Sequence, residues 1–274
     1  MFKFLARSIQ KKAEDLTFWD HIDVFRVYVI RSIFFIFLFS IIAFSYKSFV
    51  FDSIILAPSE PSFITYKILC KLAVLLNLPD LCITSIPLQL INIELGGQFS
   101  YHMLISFVVG IILAFPFITY QFWRFIKPAL TEKERHYSKG IVFYISSLFT
   151  IGVLFGYYVI APLTINFLAS YQLSSLIINN ITISSYISTL SILSLSMGLV
   201  FELPVLIFFL TKIGILTPQF LRKKRKYAII IIFIIAGFIT PSTDMFSQII
   251  VSVPLYLLYE LSYYISKNSK KINV

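Results

Sequence analysis

Apolar residues in this chain come in long runs of helix length, separated by short polar and basic segments. A bilayer-spanning helix needs about 20 mostly apolar residues. Six segments follow that pattern: Val27–Tyr46, Phe99–Trp123, Ile141–Ser170, Tyr186–Leu210, Tyr227–Thr240 and Met245–Ile265. Pro162, Pro204 and Pro254 interrupt the third, fourth and sixth. Prolines are tolerated there because neighbouring groups and water take up the freed carbonyl. The fifth segment is short: about 14 residues at 1.5 Å each cover about 21 Å, against a hydrocarbon core of about 30 Å. Such a helix thins the bilayer or sits in a protected recess. The segment joining the first two runs, residues 47–98, is long, and its apolar stretch Ile68–Leu78 predicts a short helix lying on the membrane. No internal repeat interrupts this plan. The chain reads as one domain, 17–266, between a basic tail, 1–16, and a short tail, 267–274.

Charge adds orientation. Lys and Arg number six before or at the first run, five after the second, six after the fourth and three after the sixth; the alternate segments hold only Lys47, Lys67 and Lys71. A split of 20 to three that alternates at every crossing predicts six crossings with both ends on the cytoplasmic side. The net charge of +10 then reflects topology, and nucleic acid is not an expected partner. The first 20 residues lack an apolar core followed by a small-residue cleavage site, so the first run is expected to be a retained helix.

Composition agrees, with 58% hydrophobic and 13% charged residues, where soluble domains carry about 25% charged. Ile, Phe and Lys usage suits an AT-rich genome, which favours a bacterial inner membrane over an organellar one. The two cysteines, Cys70 and Cys82, fall in one outer segment, where a disulfide and a pair of free thiols both remain open. No phosphate loop, HExxH, GxSxG or His/Cys cluster is present, so neither enzyme chemistry nor a cofactor or metal is expected.

Four places carry candidate chemistry. Glu202, in Phe201-Glu202-Leu203-Pro204, lies well inside the fourth run, where an ionisable group costs about 2.5–3.5 kcal/mol by insertion scales. A hydrogen bond to a carbonyl freed by Pro204 explains it structurally; a polar docking point for a partner helix explains it functionally. Glu260 reads as an interfacial carboxylate beside Lys267. The turn Tyr120–Arg135 mixes aromatics, a proline and carboxylates at the membrane surface, and Glu134 there suits a basic peptide. In the outer turn, Thr243 or Asp244 suits a cap for the sixth helix.

Taken in order, these stretches resemble TatC, the C subunit of the twin-arginine protein translocase, from about Phe18 to Ser266. The family's opening His-Leu-x-Glu-Leu-Arg corresponds to His21-Ile22-Asp23-Val24-Phe25-Arg26. Its first-loop signature corresponds to Phe125-Ile126-Lys127-Pro128-Ala129-Leu130 with Glu134-Arg135, and its helix-four Phe-Glu-x-Pro to Phe201–Pro204. The basic loop matches Leu221–Arg225, and the outer turn matches Thr240-Pro241 with Asp244-Met245-Phe246-Ser247-Gln248.

The resemblance implies an all-α cupped-hand bundle with short fifth and sixth helices. It also implies a receptor for signal peptides carrying paired arginines, working with TatA- and TatB-type single-helix subunits, associating with itself, and powered by the proton gradient. Glu134, with Phe125 and Leu130, is the implied signal-peptide contact. Glu202, Thr240 and Gln248 are implied in partner docking, and Asp244 in an outer-side role. One departure concerns the family's first contact Glu, whose position holds Val24. Asp20 and Asp23, three apart on one helix face, offer a substitute acidic patch beside Arg26; a local Asp23–Arg26 pair is the alternative. A secondary transporter using Glu202 as a proton relay is the rival function, but the repeat-related halves usual in such proteins are absent.

Overall fold

The computed structural model of the chain describes residues 18–77, 82–83, 88–129, 140–172, 174, 179–212, 214–240 and 245–271. Helix α1 spans Phe18–Ser45 and is followed by a wide-turned π segment, Phe49–Ile55, and a 3-10 turn, Ala57–Ser59. Then come α2 (Ile64–Leu76), β1 (Gln89–Ile91), α3 (Gly97–Ile126), α4 (Ile141–Phe155), a second π segment (Gly156–Ile160) and α5 (Ala161–Ser170). The order ends with β2 (Asn180–Thr182), α6 (Ile183–Val200), α7 (Leu203–Lys212), α8 (Pro218–Lys223), α9 (Arg225–Ile239) and α10 (Met245–Lys271).

Among the described residues, five stretches are long and apolar enough to cross a membrane: His21–Ser45, Gly97–Ile126, Ile141–Ser170, Ile183–Lys212 and Ser247–Lys267. Helix α9, with 15 residues, covers only about 22 Å. The last helix departs from the short element the resemblance implies, running 27 residues and continuing into the polar tail as far as Lys271.

The chain divides into two compact units. The first holds α1, α3 from Ser106 onward and the start of α4 to Ser147; the second holds residues 46–105 and 148–274. In the first unit, α1 and α3 run antiparallel along an aromatic ladder. Phe35 stacks on Phe117 with ring centroids 4.7 Å apart, and Phe39 meets the same ring at 5.5 Å. Gly110 lets α3 close on α1, since a Cβ there would lie 2.8 Å from the Ser40 backbone nitrogen.

In the second unit, α4 and α6 meet along glycines. A Cβ on Gly152 would sit 2.6 Å from the Met197 carbonyl oxygen and 2.9 Å from the Gly198 Cα. One on Gly156 would sit 2.8 Å from the Leu193 carbonyl oxygen. Small residues four apart let membrane helices approach to backbone contact.

The third span breaks one turn before Pro162 rather than at it. Proline cannot donate to the carbonyl four residues earlier, which is that of Tyr158. The backbone widens there, Ala161 N–H bonding the Gly156 carbonyl, and the Thr65 hydroxyl donates to the Tyr158 carbonyl. The fourth span tightens ahead of Pro204, with Glu202 N–H on the Leu199 carbonyl at 3.1 Å.

The segment joining α1 and α3 is irregular where the structure describes it, and side chains satisfy its carbonyls. The Tyr157 hydroxyl donates to Ile54 at 2.6 Å and that of Tyr186 to Ile55 at 2.7 Å. Tyr66, fully buried, reaches Pro58 at 3.0 Å and Pro162 at 3.1 Å. Burial pushes its hydroxyl well above the ordinary value of about 10. Helix α2 begins four residues before the predicted start and ends on left-handed Asn77. A disulfide joins Cys70 in α2 to Cys82. Strands β1 and β2 pair in parallel, Leu90 opposite Ile181, which places the segments that precede α3 and α6 at the same end of the second unit.

Candidate functional site

The first candidate lies at one end of the α1–α3 ladder. Phe25 packs on Phe125 at 5.1 Å and on Phe122 at 6.0 Å, and Tyr28 meets Phe125 at 6.2 Å. These rings fix the start of α1 against the end of α3. Asp23 and Arg26, one helical turn apart, are both exposed there. Among the described residues no ion pair joins them, so the local Asp23–Arg26 pair is not formed and the Asp23 carboxylate is exposed. Arg124 lies over the Tyr120 ring at 5.8 Å on the same end of α3. Asp20 falls within α1. Glu134 and Leu130 lie outside the described residues.

Glu202 is the second candidate. It stands at the turn between α6 and α7, next to Phe201, whose Cβ would lie 2.8 Å from a Cβ on Gly152. Among the described residues its Oε1 is buried without a hydrogen-bond partner, so a bond to a carbonyl freed by Pro204 does not account for that atom. The Phe149 backbone approaches the carboxylate. A buried carboxylate oxygen left open is costly and suits a donor brought from outside the chain.

At the third site, the corner of α9 and α10, the structure gives Thr240 and Gln248 partners within the chain. The buried Thr240 hydroxyl donates to the Ala236 carbonyl at 3.0 Å. Gln248 Nε2 donates to the Phe233 carbonyl at 2.7 Å and lies beside Gly237. Asp244 and Thr243 lie outside the described residues. Glu260 pairs with Arg225 at 2.5 Å, not with Lys267, because α9 starts beside this stretch of α10 and Arg225 also covers the Tyr263 ring at 4.9 Å. Around this pair, Ile207, Leu221 and Tyr263 form a small core. The Tyr259 hydroxyl holds the Leu221 carbonyl at 2.7 Å.

The sites therefore follow the motif order read along the chain, and comparison with known proteins decides what that order means. The family model described as Sec-independent protein translocase protein (TatC) matches residues 20–254. The chain belongs to the TatC family. A TatC protein of Blattabacterium from Periplaneta americana is 40% identical over 260 residues, covering 94% of this chain and 97% of that one. One from Carboxydothermus hydrogenoformans is 32% identical over 252 residues, covering 92% and 93%. Two crystal structures of the twin-arginine translocase receptor TatC resemble the fold. One has a TM-score of 0.68 at 31% identity, covering 91% of this chain and 99% of that one; the other, in the detergent DDM, has 0.71 at 32%, covering 90% and 99%. This TatC chain is thus a multi-pass, mostly helical membrane protein of the Sec-independent translocase. It is a component of protein transport.

Two TatC features escaped the motif reading. The glycine seam carried a signal, Gly152 and Gly156 standing four apart in an apolar run. The Arg225–Glu260 pair carried none, because its members are 35 residues apart.

Proposed function

We propose that this chain is the signal-peptide receptor of its translocase. The exposed end of the α1–α3 ladder receives the two arginines of an export signal. Asp23, with Asp20 on the same helical face, takes one guanidinium, and Glu134 of the following loop takes the other; Phe125 and Leu130 flank the peptide and Arg26 borders it. The observation that carries this reading is the unpaired, exposed Asp23 carboxylate fixed beside the Phe25–Phe125 contact. Charge-assisted bonds to arginine forks are short and directional, which suits a carboxylate patch over any other acceptor here.

On this reading the chain crosses a bacterial inner membrane six times, both termini cytoplasmic, as a cupped bundle whose short crossing is α9. TatA- and TatB-type single-helix subunits dock along the membrane face that carries Glu202, with Thr240 and Gln248 shaping the α9–α10 corner and Asp244 acting on the outer side. Copies of the receptor associate, and folded cargo crosses at the expense of the proton gradient. The deciding experiment is co-purification with a twin-arginine signal peptide and with its twin-lysine form. The native chain should retain the arginine peptide at least tenfold better, and Asp20→Ala/Asp23→Ala should abolish the difference. Equal retention of both peptides by the native chain would overturn the receptor reading.

A further inference from the structure

Helix α2 presents an arrangement opposite to that of a water-exposed helix. Tyr66 and Ala73, half a helical circuit from its outer face, are buried. Ile64, Ile68, Leu72 and Leu75 recur at intervals of four, four and three, so they share about 80° of arc. All four are exposed, Leu75 by 76%. Lys67 and Lys71, one turn apart and also exposed, line one edge of that stripe. Three separate attachments fix the roll of the helix: the Tyr66 hydroxyl on Pro58 and Pro162, the Phe63 ring stacked 5.5 Å from Tyr158, and the Cys70–Cys82 disulfide. The stripe therefore cannot turn inward.

Depth gives the second line of argument. Phe63, Thr65 and Tyr66 dock on Tyr158 and Pro162, inside the span Ile141–Ser170 and not at its end. Tyr158 stands seventeen residues from Ile141 along that span, about 26 Å at 1.5 Å per residue, where the hydrocarbon core is about 30 Å thick. With Ile141 set at one edge of the hydrocarbon, the start of α2 meets the span near the other edge, between acyl chains and headgroups. At 13 residues, or about 20 Å, α2 is too short to cross.

We propose that α2 lies in the bilayer interface, with Ile64, Ile68, Leu72 and Leu75 among the upper acyl carbons and Lys67 and Lys71 on anionic lipid headgroups. An apolar stripe flanked by lysines is the pattern of interfacial helices, and the lysine stems reach from the apolar level to the phosphates. Membrane surface is the occupant that both the depth and the cation edge fit. The inference holds whichever side of the membrane this end faces, so it stands apart from the receptor reading.

The test uses the full chain in vesicles, in a Trp19→Phe/Trp123→Phe background, with Ile68→Trp or Leu75→Trp as two independent reporters. Emission from both should be blue-shifted, lost to lipids brominated near the headgroup and retained against aqueous iodide. Raising the anionic lipid fraction should deepen the quenching by brominated lipid, and Lys67→Gln/Lys71→Gln should remove that dependence. Quenching by iodide alone would mean a water-exposed stripe, and protection from both quenchers would mean a protein cover, another copy included. Either result overturns the proposal, as does an anionic-lipid response that survives loss of both lysines.

Discussion

Replacing Gly152 by Ala tests the α4–α6 seam most directly. The new methyl would lie 2.6 Å from the Met197 carbonyl oxygen, where ordinary contact begins at 3.4 Å, so the helices must part locally by about 0.8 Å. A gap of that order forfeits roughly a quarter to a half of each pair's dispersion energy, itself about 0.1–0.2 kcal/mol. Over some tens of atom pairs along the seam the loss is about 2 kcal/mol, and the better helix propensity of Ala returns about 1 kcal/mol. The net cost should be about 1 kcal/mol, a fall in midpoint of about 2–4 °C. Gly96→Ala supplies the contrast, because a Cβ there would have nothing within 4 Å. That variant should melt at or slightly above the native temperature. Parallel thermal scans of both purified variants, at one heating rate in one detergent, decide the matter. Equal midpoints, or a lower one for Gly96→Ala, would show that backbone contact does not set the helix spacing.

Three further outcomes follow from the same coordinates. Cys70→Ser should lower stability by about 3 kcal/mol in the chain-entropy model for a cross-link of separation 12, and thiol reductant should match the loss in the native chain while leaving the variant unchanged. Gln248→Leu should destabilise the isolated chain by about 0.5–1 kcal/mol for the lost bond to Phe233, read as a lower thermal midpoint, whereas Thr240→Val, whose hydroxyl bonds only its own helix, should leave the midpoint unmoved. Tyr66→Phe strips a donor from two carbonyls and should cost about 1–3 kcal/mol at neutral pH. Because folding raises the Tyr66 value, its contribution is complete below about pH 10 and declines above it; denaturant titrations from pH 8 to 11 should show a shallower alkaline loss in the variant.

Five of the six expected spans were legible because apolar length is written directly in the order of residues. The shortness of α9 was equally plain, closed in by Lys223–Lys226 and Pro241. Other features depend on residues that meet only in space. Pro162 announced a break, but the widened turn sits at Gly156–Ile160 because the Tyr158 carbonyl is the one proline leaves free and Thr65, 93 residues away, accepts the role of donor. The β1–β2 ladder is three residues long on each side, too short to leave a periodic trace. Asp23 stood out as acidic, but its freedom from Arg26 depends on side-chain placement that spacing alone does not decide. Glu260 was read against its neighbour in sequence, Lys267, while its partner came from the next helix.

The tyrosine hydroxyls that close the segment between α1 and α2 impose a timetable on the growing chain. Residues 54, 55 and 58 are synthesised early, but the groups that occupy their carbonyls belong to residues 157, 186 and 66. Until the third and fourth spans have been inserted, Ile54 and Ile55 have only water to bond, so this stretch must stay solvated while later helices are threaded into the membrane. A ribosome-bound intermediate truncated before residue 157 should therefore expose it to protease, and one extended past residue 186 should not. A segment made early thus becomes ordered only after the 131 residues from Ile55 to Tyr186 have followed it.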